Sequence, residues 1–261
     1  MKTPWIQHVI ARECTKAIAV ILALFIPSRM LHSSIYKLSY LITRCFWPLL
    51  SNKTEMSFDY ALRDIFAHMC TCVNRYKKFR LNIIYERLDL IISKLNQSKP
   101  VIFCTTHTGG VPFALMQILD DLNYKTFVVA KGNLRSGWNW GTSKTPTVFR
   151  SDNNLLVKIR SFLKDNSALV IMVDYNYLSI SKSGFVSPNI FIFASEQNYD
   201  IIFFTSVIQK DGSIKIIFGE KSEESRDGYD IARDFTRWLN TLTSWTYQVK
   251  KRQRKKGTHK L

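Results

Sequence analysis

The chain reads as an α/β protein, with a mostly parallel central sheet, helices on both faces, and N-terminal amphipathic helices of interfacial type ahead of it. Three observations predict this. Residues 101–104 (VIFC) and 168–173 (ALVIMV) are short, wholly apolar runs, as expected of strands buried on both faces. Segments with helical apolar spacing alternate with such runs, the pattern of strand–helix–strand units. A basic, apolar-striped segment, residues 1–50, precedes both.

The N-terminal segment poses a membrane question. Residues 17–26 (AIAVILALFI) are apolar, but Lys16 and Arg29 bracket too short a window. A spanning helix needs about 20 residues. A signal peptide fits poorly, because residues 1–16 are long, include Glu13, and no small-residue cleavage site follows Pro27. Residues 30–47 place Leu31, Ile35, Leu38, Leu41, Ile42 and Phe46 among Arg29, His32, Lys37 and Arg44, with Tyr40 and Trp47 as interface residues. This coincidence of charge and apolar stripe predicts a helical hairpin lying in the face of an anionic leaflet. The plainer alternative is that both helices cover the core of the domain.

After a polar break at 51–56, Ser57 reads as an N-cap for a helix on Phe58, Leu62, Phe66, Met69, Val73 and Tyr76. A shorter helix, roughly 84–95, leads to the strand at 101–104. Pro112 suits the first turn of the next helix, whose apolar face is Phe113, Leu115, Met116, Ile118 and Leu119. A strand at 125–130 is followed by a loop, 131–147, that holds Trp138 and Trp140; a loop this long is usually functional or mobile. A helix at 153–163 precedes the strand at 168–173, which ends on Asp174. A looser stretch with Gly184 and Pro188 comes next, then a helix at 190–197. Residues 201–208 and 213–218 form neighbouring strands turning at Asp211-Gly212. Residues 229–249 complete the fold as a helix, and 250–260 is a basic tail. The chain thus divides into an interfacial segment (1–50), an α/β domain (51–249) and the tail (250–261).

Charge narrows the choice of partner. Lys and Arg number 37 against 20 Asp and Glu in 261 residues, a net charge of +17. Such a chain favours anionic company: nucleic acid, anionic lipid or an acidic protein. Five scattered cysteines argue against a disulfide scaffold and for a reducing compartment. Cys70 and Cys72 lack the further ligands of a zinc site, so no metal is expected. Neither a Walker A sequence, a GxGxxG, nor a GxSxG elbow is present.

Chemistry concentrates where the 101–104 strand ends, in Thr105-Thr106-His107-Thr108-Gly109-Gly110. The carboxyl ends of parallel strands are where ligands collect in open α/β sheets. His107 can exchange a proton near neutral pH. Gly109 and Gly110 let backbone N–H groups approach a ligand and could hold an oxyanion. Asp174 should lie at the same sheet edge and could orient the imidazole. The bland readings are a turn residue for His107 and a cap for Asp174. Lys131, Arg135 and Arg150 are candidates to bind phosphates.

In its order of elements the chain resembles the lysophospholipid acyltransferase superfamily, closest to the lipid A late (secondary) acyltransferase branch. The likeness covers about residues 57–220. It rests on the basic amphipathic start, the apolar strand with its His-x-Gly turn, and the later strand ending in Asp174-Tyr175. Gly184-Phe185-Val186-Ser187-Pro188 resembles, with an interruption, a Gly…Val-Pro loop of the family, and Arg150 a basic residue of its pattern. The family turn reads approximately His-x-Gly-Asn-Trp-Glu, with a His-x4-Asp/Glu dyad. Here the acid position is Pro112, and the only literal His-x4-Glu, His8 to Glu13, lacks the strand and the glycine turn. Asp174 is the best substitute; Asp120 and Asp121 lie too far along the helix.

The resemblance implies transfer of an acyl or aminoacyl (for example glycyl) group from a carrier-protein thioester to a hydroxyl of lipid A or a related glycolipid. His107 would be the general base, no cofactor would be bound, and the phosphopantetheine thioester would be the donor. The partners would be an acidic carrier protein and an anionic membrane lipid. The protein would be a monomer at the cytoplasmic face of a bacterial inner membrane, peripheral or N-terminally anchored. Two other readings stand beside it: a catalytically inactive membrane-associated relative, and a nucleic-acid-binding protein using the basic tail, Trp138 and Trp140.

Overall fold

A computed structural model describes residues 3–51, 58–97, 99–107, 111–130, 142, 146–150, 152–175, 183–243 and 246–250. In chain order the elements are α1 (Thr3–Phe25), α2 (Ser28–Ser51), α3 (Phe58–Asn74), β1 (Ile83–Glu86), α4 (Leu88–Leu95) and β2 (Val101–Thr105). A 3-10 turn, Pro112–Ala114, leads into α5 (Leu115–Asp121). Then follow β3 (Lys125–Ala130), β4 (Thr147–Arg150), α6 (Leu155–Phe162), β5 (Ser167–Met172), β6 (Asp174–Tyr175) and β7 (Ser183–Val186). The last elements are α7 (Asn189–Glu196), β8 (Asp200–Ile208), β9 (Ile214–Gly219), α8 (Gly228–Leu242) and β10 (Thr246–Val249).

The expected α/β architecture is present. Seven strands form one sheet in the order β1-β9-β8-β2-β5-β3-β4. All neighbours in it run parallel except β8 and β9, which pair antiparallel across the Asp211-Gly212 turn. Gly212 sits at φ 87°, a left-handed conformation open to glycine, and the Tyr36 ring lies where its Cβ would be.

Alternation along the strands divides the core in two. Val101 and Phe103 of β2, Ala168 and Val170 of β5, and Ile202 and Phe204 of β8 face α1–α5. Ile102 and Cys104, Leu169 and Ile171, and Ile201 and Phe203 face α6–α8. Both faces are therefore covered, which explains why these strands read as continuous apolar runs.

The N-terminal hairpin is only partly as expected. Leu31, Ile35 and Ile42 of the apolar stripe are buried in the core beside Phe66, Met69 and Val73 of α3, so most of the stripe faces the domain. Met30, Tyr40 and Leu41 stay exposed. Among the described residues no helix is long and apolar enough to cross a membrane.

Four boundaries differ from the sequence reading. The first three residues of the helix expected at 84–95 belong to β1, whose Ile-Ile-Tyr run is β-prone and pairs in parallel with β9. Thr147–Arg150, at the end of the expected loop, is edge strand β4. Ser183–Val186, expected to be loose, is β7. The last helix stops at Leu242, and Thr246–Val249 is β10, which joins β7 and β6 in a second, three-stranded sheet. Gly184 fits that sheet because the buried Tyr247 ring lies where its Cβ would stand.

Candidate active site

The connection after β2 passes to α5, which packs on one face of the sheet; the connection after β5 reaches α7, which packs on the other. Adjacent strands whose connections part in this way leave a crevice at their carboxyl ends. His107 and Asp174 each follow the carboxyl end of one of those two strands. Register explains why they meet. Thr105 of β2 pairs with Met172 of β5, so each chain carries its functional residue two positions further on.

The geometry is that of an oriented imidazole. His107 Nδ1 lies 2.8 Å from Asp174 Oδ1. The same oxygen accepts the His107 backbone N–H at 2.9 Å. With Asp174 ionised, Nδ1 carries the proton and donates, and Nε2 becomes the nitrogen able to take a proton. The carboxylate side chain is 0% exposed, whereas that of His107 is 35% exposed. The pair thus combines a reachable base with a shielded acid. Asp174 Oδ2 is buried and takes no hydrogen bond among the described residues.

Backbone contacts fix the acid in place. Asp174 opens β6 and pairs with Val186, and Ser187 N–H donates to the Val173 carbonyl at 2.8 Å. Val173 N–H in turn donates to the Thr105 carbonyl at 2.9 Å, tying this corner to β2. The small sheet therefore holds Asp174 against the strand that delivers His107.

One residue escaped the sequence reading. Ser206, in β8, accepts the Val111 backbone N–H on its Oγ at 2.6 Å, and both residues are buried. The turn after β2 is held at its start by Asp174, two residues past the end of β5, and at its far end by Ser206 from β8. β5 and β8 flank β2 on its two sides. The signal was a hydroxyl within the apolar run FFTSVI, but its partner depends on strand order, which the run does not disclose.

The other candidate residues are placed as follows. Arg150 ends β4, opposite Ala130 in β3, at the same edge of the sheet. At about 4.8 Å per strand its backbone is roughly 10 Å across from the end of β5. Gly109, Gly110, Lys131 and Arg135 lie outside the described residues, as do Trp138 and Trp140. Asp121 forms a two-pronged ion pair with Arg80 at the surface and takes no part in the crevice. Cys104, although close in sequence to His107, is fully buried, and burial raises its pKa, so its thiol is no nucleophile. Among the described residues no cluster of His, Cys, Asp and Glu could hold a metal ion.

No protein-family model matches the chain, and no curated protein matches it.

Proposed function

We propose that the protein is a membrane-surface acyltransferase. It moves an acyl or aminoacyl group, such as glycyl, from a carrier-protein thioester to a hydroxyl of lipid A or a related glycolipid. The observation that carries this reading is the 2.8 Å contact between His107 Nδ1 and the shielded Asp174 carboxylate at the carboxyl edge of β2 and β5.

In the proposed step His107 Nε2 takes the proton of the acceptor hydroxyl as its oxygen attacks the thioester carbonyl. Asp174 steadies the imidazolium that forms. Backbone N–H groups of Gly109 and Gly110 hold the negative oxygen of the tetrahedral intermediate. The C–S bond then breaks, the ester C–O bond remains, and the imidazolium returns its proton to the departing phosphopantetheine thiolate. Asp174 takes the part of the acid that Pro112 displaces from the turn. Lys131, Arg135 and Arg150 receive phosphates of the acceptor, and the basic surface draws in both an acidic carrier protein and anionic lipid at the cytoplasmic face of an inner membrane. The enzyme works as a monomer without a bound cofactor.

Purified protein incubated with lipid A and a panel of acyl- and aminoacyl-carrier thioesters tests this. Ester formation that is lost in His107→Ala supports the reading. No product from any donor, with the fold intact, favours an inactive relative, and tight binding of nucleic acid instead would favour the remaining alternative.

A further inference from the structure

The corner between α1 and α2 stands at the same edge of the sheet as His107. Strand β8 runs parallel to β2, so its carboxyl end and the turn after it lie on that edge. It has nine residues against five in β2 and continues past the end of β2 by roughly 13 Å at about 3.3 Å per residue. The start of α2 sits on this turn. His32 Nε2 donates to the Gly212 carbonyl at 2.7 Å, and Tyr36 OH donates to that of Lys210 at 3.3 Å. Lys77 Nζ, beyond the end of α3, donates to the Ile26 carbonyl at 2.9 Å and so ties the corner down.

Large apolar side chains crowd the outside of this corner. Phe25 is 76% exposed, Leu24 67% and Tyr76 64%, with Ile21 and Met30 also exposed. Leu22, Ala23 and Leu31, between them in sequence, are buried and anchor the corner to the core. Arg29, Arg75 and Lys78 are exposed around it. No Asp or Glu occurs between residues 14 and 51 or between residues 74 and 82. Across the turn, Asp211 is the acidic neighbour, and its carboxylate accepts both the backbone N–H and the hydroxyl of Ser213.

We infer that this corner is a wedge that enters the interface of an anionic bilayer, seating the His107 edge of the sheet on the lipid surface. A projecting apolar corner ringed by cations fits the layered chemistry of headgroup and acyl boundary. A protein partner would need a matching hollow. The hairpin therefore docks by its corner, since most of its length packs on the domain. The identity of the lipid as acceptor rests on the proposed function; the docking itself does not.

The test is co-sedimentation of the full chain with phosphatidylglycerol-containing vesicles and with phosphatidylcholine vesicles. Binding is expected to the anionic vesicles, to weaken as salt rises, and to fall about tenfold or more in Leu24→Asp/Phe25→Asp. The milder Leu24→Ala/Phe25→Ala should show a smaller loss with an unchanged thermal midpoint, which separates docking from misfolding. His107→Ala should bind vesicles like the parent protein. Docking that persists without any transfer activity would overturn the proposed function and keep the wedge. Anionic-vesicle binding unaffected by both double variants, or absent from the parent, would overturn the wedge. So would a loss confined to binding of an acidic carrier protein.

Discussion

His107 and Asp174 are separated by 67 residues in the chain and by 2.8 Å between Nδ1 and Oδ1. Their meeting is a consequence of strand register, since β2 and β5 are neighbours with Thr105 opposite Met172. Removing the charge while keeping the shape tests what the contact does. Asp174→Asn should lower kcat by about 100-fold or more, because an amide no longer stabilises an imidazolium. Acceptor KM should change little. Steady-state transfer kinetics check this, and an unchanged kcat would mean that the pair is structural.

Ser206 should act on the same step at one remove. Its Oγ takes the Val111 N–H at 2.6 Å and fixes the far end of the turn that carries the histidine. Ser206→Ala leaves that buried N–H without its acceptor, at about 1–3 kcal/mol in stability. It should also lower kcat, and Ser206→Thr should restore part of the loss. Thermal unfolding alongside kinetics distinguishes this positioning role from a general loss of folded protein.

His32 makes stability depend on pH. Burial lowers its pKa, while the hydrogen bond to the Gly212 carbonyl and the Asp211 charge oppose that shift. Its Nδ1 accepts the Asn82 N–H at 3.3 Å, an acceptor that protonation abolishes. The folded state therefore holds this proton less tightly than the unfolded chain. The contribution is present in full above the ordinary histidine value of about 6.5 and is lost as pH falls from there toward the lowered folded value. Urea midpoints at about pH 7.5 and about pH 5.5 should drop more for the parent than for His32→Gln. Equal drops would remove His32 from the account.

Gly228 lets the start of α8 come close against the backbone of α7. A Cβ there would stand 2.3 Å from the Cα and N of Ile192, backbone atoms of α7 that cannot swing aside. Gly228→Ala should force α7 and α8 apart and cost about 2–3 kcal/mol, read as a lower denaturant midpoint. A substitution without effect would mean that α8 shifts freely on this face.

Much of this was legible in the sequence because burial leaves a strong pattern. The strands β2, β5, β8 and β9 announce themselves as apolar runs, and His107 and Asp174 as the polar residues that end two of them. From there the pairing of base and acid follows once both are placed at one sheet edge. Short strands are another matter. Ile83–Glu86, Thr147–Arg150 and Ser183–Val186 each have four residues, too few to show a period, and their pairing is decided by tertiary contacts. The hairpin is ambiguous for a related reason. A stripe such as Leu31, Ile35 and Ile42 looks the same whether it covers a sheet or a bilayer, and only exposure tells Leu24 and Phe25 from Leu22 and Ala23. Ser206 stays hidden because its role depends on β8 lying next to β2, which no local sequence records.

The most direct measurement is mass spectrometry of lipid A from otherwise identical cells that lack the protein, express it, or express His107→Ala. A mass increment is expected with the protein, absent without it and lost in the variant, its size giving the fatty acyl or aminoacyl group. An increment that survives His107→Ala would contradict the assignment of the base. Lipid A of the same mass in all three strains would contradict transfer itself.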